Sequence, residues 1–201
     1  MARLLLLLCL VALAGCPRLQ SPDARARDAV AAAAAKGFTL QAGDATLVVP
    51  PGRLTTVSVT TAPLGEGRLR GFARVTLEGR YDGVPVSYVG DERFVVACAA
   101  TCELEGPPAP RLLALLEVLR GRRQALAAAD RDRLAALSVD DARPQLARAD
   151  LAPSAQREVG AWFIRIDRDE ALVGEADRGG AQRQLILARE NDAWRFVSGL
   201  P

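Results

Sequence analysis

The chain has 201 residues, 50% apolar and 25% charged, with 26 Lys+Arg, 24 Asp+Glu, four Cys and no His. That balance describes a globular protein rather than a disordered or polytopic membrane chain, and a formal charge of +2 gives no footing for nucleic-acid binding. Without His there is no Ser-His-Asp or Cys-His catalysis, no His-ligated metal and no imidazole switch.

Met1-Ala2-Arg3 is a short basic start, and an apolar run follows from Leu4 to Leu13. The run is about half of the ~20 residues that a membrane-crossing helix needs, so it fits a secretory signal instead. It ends in Leu13-Ala14-Gly15-Cys16, which resembles the lipobox of bacterial lipoproteins. The resemblance implies cleavage before Cys16 and acyl chains, palmitate among them, on its sulfur and its new amine. Each buried methylene adds ~0.8 kcal/mol of membrane affinity, so two or three chains anchor durably. Pro17, standing where Asp favours inner-membrane retention, points to the outer membrane with the protein facing the periplasm. Ala12-Leu13-Ala14 keeps a second reading open: ordinary signal cleavage, releasing a soluble chain that begins at Gly15.

The expected organisation is a signal over 1–15, a lipid anchor and tether over 16–20, and a helix-plus-sheet domain over 21–105. A Pro-rich linker over 106–110 and an α+β domain over 111–201 complete it. In the first domain Ser21-Pro22-Asp23 starts a helix and Lys36-Gly37 ends it. That helix, rich in Ala, either lies against a sheet or serves as a solvated spacer. Strands over 38–42 and 45–49 flank Gly43-Asp44, and a third covers 54–61. Strands over 68–81 and 84–97 flank Asp82-Gly83, the strongest hairpin signal in the chain. Pairing Tyr81 with Val84 places Gly79 opposite Val86 and Leu77 opposite Tyr88. Val75, Leu77, Tyr81, Val84, Val86 and Tyr88 then share one face of a five-strand antiparallel meander, with the N-terminal helix over it. Arg68, Arg70, Arg74, Glu78 and Arg80 share the other face. It is either a solvated surface balanced by Glu78, Asp91 and Glu92, or one for anionic headgroups or polymers. Cys98 and Cys102 are the thiols left after processing and are expected to form a disulfide in an oxidising compartment.

Beyond the linker, leucines at helical spacing from Leu112 to Leu126 predict a long helix, and Asp130 caps a shorter one carrying Leu134 and Leu137. Residues 153–159 suggest further helical turns ended by Gly160. Strands are expected over 162–167, 171–177, 181–190 and 193–198. A two-residue turn at Asn191-Asp192 sets Leu187 opposite Phe196 and Leu185 opposite Ser198. The order of a Leu-rich helix, a break at Ala129-Asp130-Arg131-Asp132, a short helix and strands ending Trp194-Arg195-Phe196-Val197 resembles the nuclear transport factor 2-like (cystatin-like) superfamily. The resemblance implies a curved sheet wrapped on helices around a cone-shaped pocket, with Trp162, Trp194 and Phe196 as candidate pocket-lining residues. The family holds cyclases and isomerases beside binding and assembly domains. Its enzymes use a buried acid or base and an oxyanion donor, and no residue here is carried over to either role.

No nucleophile constellation, metal-ligand cluster or phosphate loop is visible, so no catalytic residue, cofactor or metal is assigned. The expected function is a membrane-anchored, non-catalytic envelope lipoprotein that binds a protein partner or a small apolar ligand. The alternatives are a small cyclase or isomerase built on the second domain, or a structural part of an envelope assembly.

Overall fold

The computed structural model describes residues 20–199, so the signal, Cys9 and the lipobox with Cys16 lie outside the described residues. Ser21 caps α1 (Pro22–Lys36), its hydroxyl accepting the Ala24 N–H at 3.2 Å. Gly37 ends the helix at φ +67°, where a Cβ would sit 2.7 Å from the Val49 carbonyl oxygen. β1 (Phe38–Ala42) and β2 (Ala45–Val49) form the expected hairpin. β3 (Leu54–Gly65) runs past Thr61, because Glu66-Gly67, both with positive φ, supply the turn.

β4 (Arg68–Tyr81) and β5 (Val84–Cys98) pair in the expected register, with Tyr81 opposite Val84, Gly79 opposite Val86 and Leu77 opposite Tyr88. The apolar face is buried, and Arg68, Arg70, Glu78 and Arg80 are exposed on the reverse. β2 and β3 are not neighbours. Both lie on the same edge of β4, β3 along Leu77 to Arg68 and β2 at Tyr81 and Arg80. The Pro50-Pro51-Gly52 turn accounts for this, since the Gly52 N–H is held by the Ala34 carbonyl at the end of α1, which swings β3 away from β2. The chain then turns at Cys98 into β6 (Cys102–Glu105), a strand too short for alternation to reveal. Cys98 and Cys102 face each other across that turn as a disulfide, Cα to Cα 4.1 Å. A ring this small contributes about 2 kcal/mol of loop entropy.

α1 packs over β3 and β6, burying Ala26, Ala29, Val30 and Ala34, and Asp23 accepts a hydrogen bond from Thr61 at 2.6 Å. Its small side chains allow that close approach. Gly71 shows how tight the sheet itself is: Phe94, its cross-strand partner, lies over it, and a Cβ would come within 2.2 Å of the ring. Gly71→Ala is expected to cost about 1–3 kcal/mol by displacing Phe94, measured as a lower urea midpoint with an unchanged m-value.

The remaining elements are α2 (Pro110–Ala127), α3 (Arg131–Ala136), a 3-10 turn at Asp140–Ala142, α4 (Arg143–Arg148) and α5 (Ala152–Ala155). They are followed by β7 (Val159–Asp167), β8 (Glu170–Asp177), β9 (Gln182–Glu190) and β10 (Ala193–Ser198). Asp130 caps α3 as expected, accepting from the Arg133 N–H at 2.9 Å. Gly160 does not end a helix. It sits inside β7, where a bulge between Val159 and Ala161 absorbs it. Leu187 faces Phe196, but a second bulge after Phe196 moves Ser198 opposite Ile186 rather than Leu185.

Residues 106–110 carry the chain from β6 to α2, and the regions on either side meet again in one ladder. Val86 to Gly90 of β5 pair in parallel with Trp162 to Ile166 of β7, after the helical crossover that a parallel pair requires. The result is a ten-stranded sheet in the order β1-β2-β4-β5-β7-β8-β9-β10, with β3 on β4 and β6 on β5. One buried cluster runs from Ala26 to Phe196. The architecture is α+β, mostly antiparallel, and α1 and α2 pack on the same face of the sheet. The other face is open among the described residues.

Candidate functional site

Period-two alternation brings two carboxylates inside. On β5 the inward series Val84, Val86, Tyr88, Gly90 continues to Glu92, which is 1% exposed and so does not balance the arginine face. Its Oε1 accepts from the Tyr88 hydroxyl at 2.8 Å and the Leu112 N–H at 3.0 Å, and its Oε2 accepts from the Arg111 N–H at 2.9 Å. The acid from β5 thus caps α2, whose own Ala109 offers no side-chain cap. Desolvation pushes the Glu92 carboxyl up to about 7, against the pull of those donors.

On β8 the series Ala171, Val173 continues to Glu175, 4% exposed. Its Oε1 accepts from Arg183 Nε at 2.8 Å, and its Oε2 from Trp162 Nε1 at 3.3 Å and Arg122 at 3.4 Å. Both acids therefore have every oxygen engaged.

Trp162, Trp194 and Phe196 are each buried in the core rather than lining an opening, at most 2% exposed. α2 lays an arginine over each ring: Arg123 on Trp162 and Arg111 on Trp194 at 5.6 Å, and Arg122 on Phe196 at 5.8 Å. Leu112, Leu115, Leu116 and Leu119 of α2 are buried in the same cluster. The Leu periodicity had announced that helix, but its buried arginines gave no comparable signal.

The open face is different in kind. A trough of about 720 Å³ crosses β5, β7, β8 and β9, lined by Val89, Phe163, Arg165, Leu172, Gly174 and Gln184 among others. Phe163 is 52% exposed and Leu172 40%, and Ile186 and Val197 extend the apolar strip over β9 and β10. Gly174, between Phe163 on β7 and Gln184 on β8's other neighbour, has no side chain and leaves the dip. A Cβ there would meet Phe163 Cβ at an ordinary 3.5 Å, so packing does not demand this glycine. Arg165 at the rim is paired with Asp167 at 2.5 Å. Comparison with protein-family models, curated proteins and solved structures gives no match.

Two of the four arginines on this face of β4 are paired with acids, Arg68 with Glu105, and Arg74 with Asp91 at 3.2 Å and Asp167 at 2.9 Å, while Arg80 donates to the Gly83 carbonyl at 3.0 Å. Among the described residues no three His, Cys, Asp or Glu gather as a metal site, and no helix is long and apolar enough to cross a membrane.

Proposed function

We propose that this protein is an envelope lipoprotein, tethered through Cys16 to the outer membrane and facing the periplasm. In this reading it binds a protein partner or a small apolar ligand without chemistry of its own. The observation that carries the binding role is the trough on the open sheet face, where Phe163 and Leu172 stay exposed around a glycine that packing does not require. The order of α2, α3 and the β7–β10 strands, with helices over one face of the sheet, supports the nuclear transport factor 2-like resemblance. The cyclase or isomerase alternative gains less, since Glu92 and Glu175 are spent on the helix cap and on the buried arginines.

Gly174→Val is expected to fill the dip with little loss of stability, because a β-branched residue suits the strand. It should weaken binding of an apolar fluorophore such as N-phenylnaphthylamine at least tenfold, and Phe163→Asp with Leu172→Asp should do the same. Unchanged fluorescence titrations in both variants would remove the trough from the function. Mass spectrometry of the mature N-terminal peptide tests the tether: an acylated Cys16 supports it, and a free Gly15 amino terminus ends it.

A further inference from the structure

A second recess lies where α2, α5 and β9 meet, on the helical side of the molecule. It has a volume of about 300 Å³, and its walls hold Arg120, Arg123, Arg157 and Arg183 beside apolar Leu126 and Val159. Two acids share the lining, Asp82 and Glu158, and both are engaged. Asp82 lies 3.7 Å from Arg120, which also pairs with Asp44, and Glu158 is held by Arg178 at 2.6 Å. Arg183 is committed to Glu175. Arg123 and Arg157 are left with no carboxylate partner among the described residues. The Arg123 guanidinium carbon lies 5.6 Å from the centre of the Trp162 ring, a contact that does not neutralise its charge.

An independent observation comes from Ser154 in the same wall. The residue is 9% exposed, yet among the described residues its hydroxyl makes no hydrogen bond. Nor is its Oγ sealed in the core, so the oxygen faces the recess. Two uncompensated guanidinium forks and a hydroxyl without a partner, gathered in a concavity, focus positive potential and present convergent donors. That donor set suits a tetrahedral oxyanion, whose acceptor sites outnumber those of a carboxylate. The recess is at the small end of ligand pockets, ~300–1,000 Å³, so it accommodates a headgroup and not a polymer.

We propose that this recess binds a phosphate group through Arg123, Arg157 and Ser154, either as a free ion or as the headgroup of an anionic lipid. It shares only Arg183 with the trough, so the two sites can fail separately.

The full chain, in zwitterionic micelles, is melted in sodium phosphate and in sodium chloride of equal ionic strength, and phosphate binding is followed by ³¹P line broadening. The expected result is a saturable rise in Tm and saturable broadening with phosphate alone. Arg157→Gln, which removes an exposed side chain with no carboxylate partner among the described residues, should weaken binding at least tenfold while melting like the parent in chloride. Ser154→Ala is the second variant and should weaken it several-fold. Micelles doped with phosphatidylglycerol separate the sources: suppression of the phosphate signal identifies a lipid headgroup, and an undiminished signal identifies the free ion. The proposal is overturned if phosphate stabilises no more than chloride, or if both variants bind as the parent does.

Discussion

Glu92→Ala is expected to destabilise the fold by about 3–5 kcal/mol, well above the ~1 kcal/mol of an ordinary helix cap. The carboxylate serves three donors at once: the Tyr88 hydroxyl and the Arg111 and Leu112 N–H groups. All lie where water cannot replace it, so truncation strands a buried hydroxyl and the first turn of α2 together. Glu92→Gln keeps one acceptor oxygen and should cost about 1–2 kcal/mol.

The pH dependence separates the two effects. The folded carboxyl is raised to about 7 from an ordinary 4.5, so between those values the folded state holds a proton that the unfolded state has released. Stability therefore falls as pH rises through this window, by up to about 3 kcal/mol, and is flat in this contribution above it. Asp167, lowered by Arg74 and Arg165, loses its contribution only below its ordinary value of 3.8 and stays outside the window. Urea unfolding at pH 5.5 and 8 should find the parent more stable at the lower pH, with that difference much reduced in Glu92→Gln. Equal slopes in the two proteins would mean that Glu92 titrates normally.

The elements that alternation and turn chemistry govern were legible in the sequence. Asp82-Gly83 fixed the β4–β5 register residue by residue, and Ser21, Asp130 and Gly37 marked helix ends through their own backbone chemistry. The bulges at Val159 and after Phe196 were not, because an extra residue in one strand leaves no mark on composition and shifts everything beyond it. The parallel β5–β7 ladder was also hidden. It joins residues far apart in the chain, and the Pro-rich stretch between them looks the same whether it ends a domain or begins a crossover. The two interior acids were within reach: stepping by two from Val84 arrives at Glu92, and from Ala171 at Glu175. Treating charged residues on strands as outward-facing concealed them. The trough was harder to see, since a strand glycine beside an exposed Phe takes on meaning only when β7, β8 and β9 lie side by side.

The second buried acid governs the opposite end of α2. Glu175→Gln is expected to cost about 3–5 kcal/mol, because it removes a buried counter-charge from beside the fully buried Arg122 guanidinium. Arg122 is 0% exposed, and burial together with the charge of Arg183 already draws its pKa down to about 10. Arg183, 15% exposed, can turn towards the recess when the carboxylate is gone, whereas Arg122 has no such route. The charge on Arg122, rather than the lost hydrogen bonds, should therefore dominate the cost. Removing both members tests this. In Glu175→Met with Arg122→Met, two side chains of suitable bulk replace the ions against Phe196 and Trp162. The double variant should then be more stable than either single variant, with a coupling of about 2 kcal/mol or more in a double-mutant cycle of urea unfolding free energies. If the double variant instead loses the sum of the two single losses, each side chain is held by its own surroundings. Glu175 would then be one more hydrogen-bond acceptor.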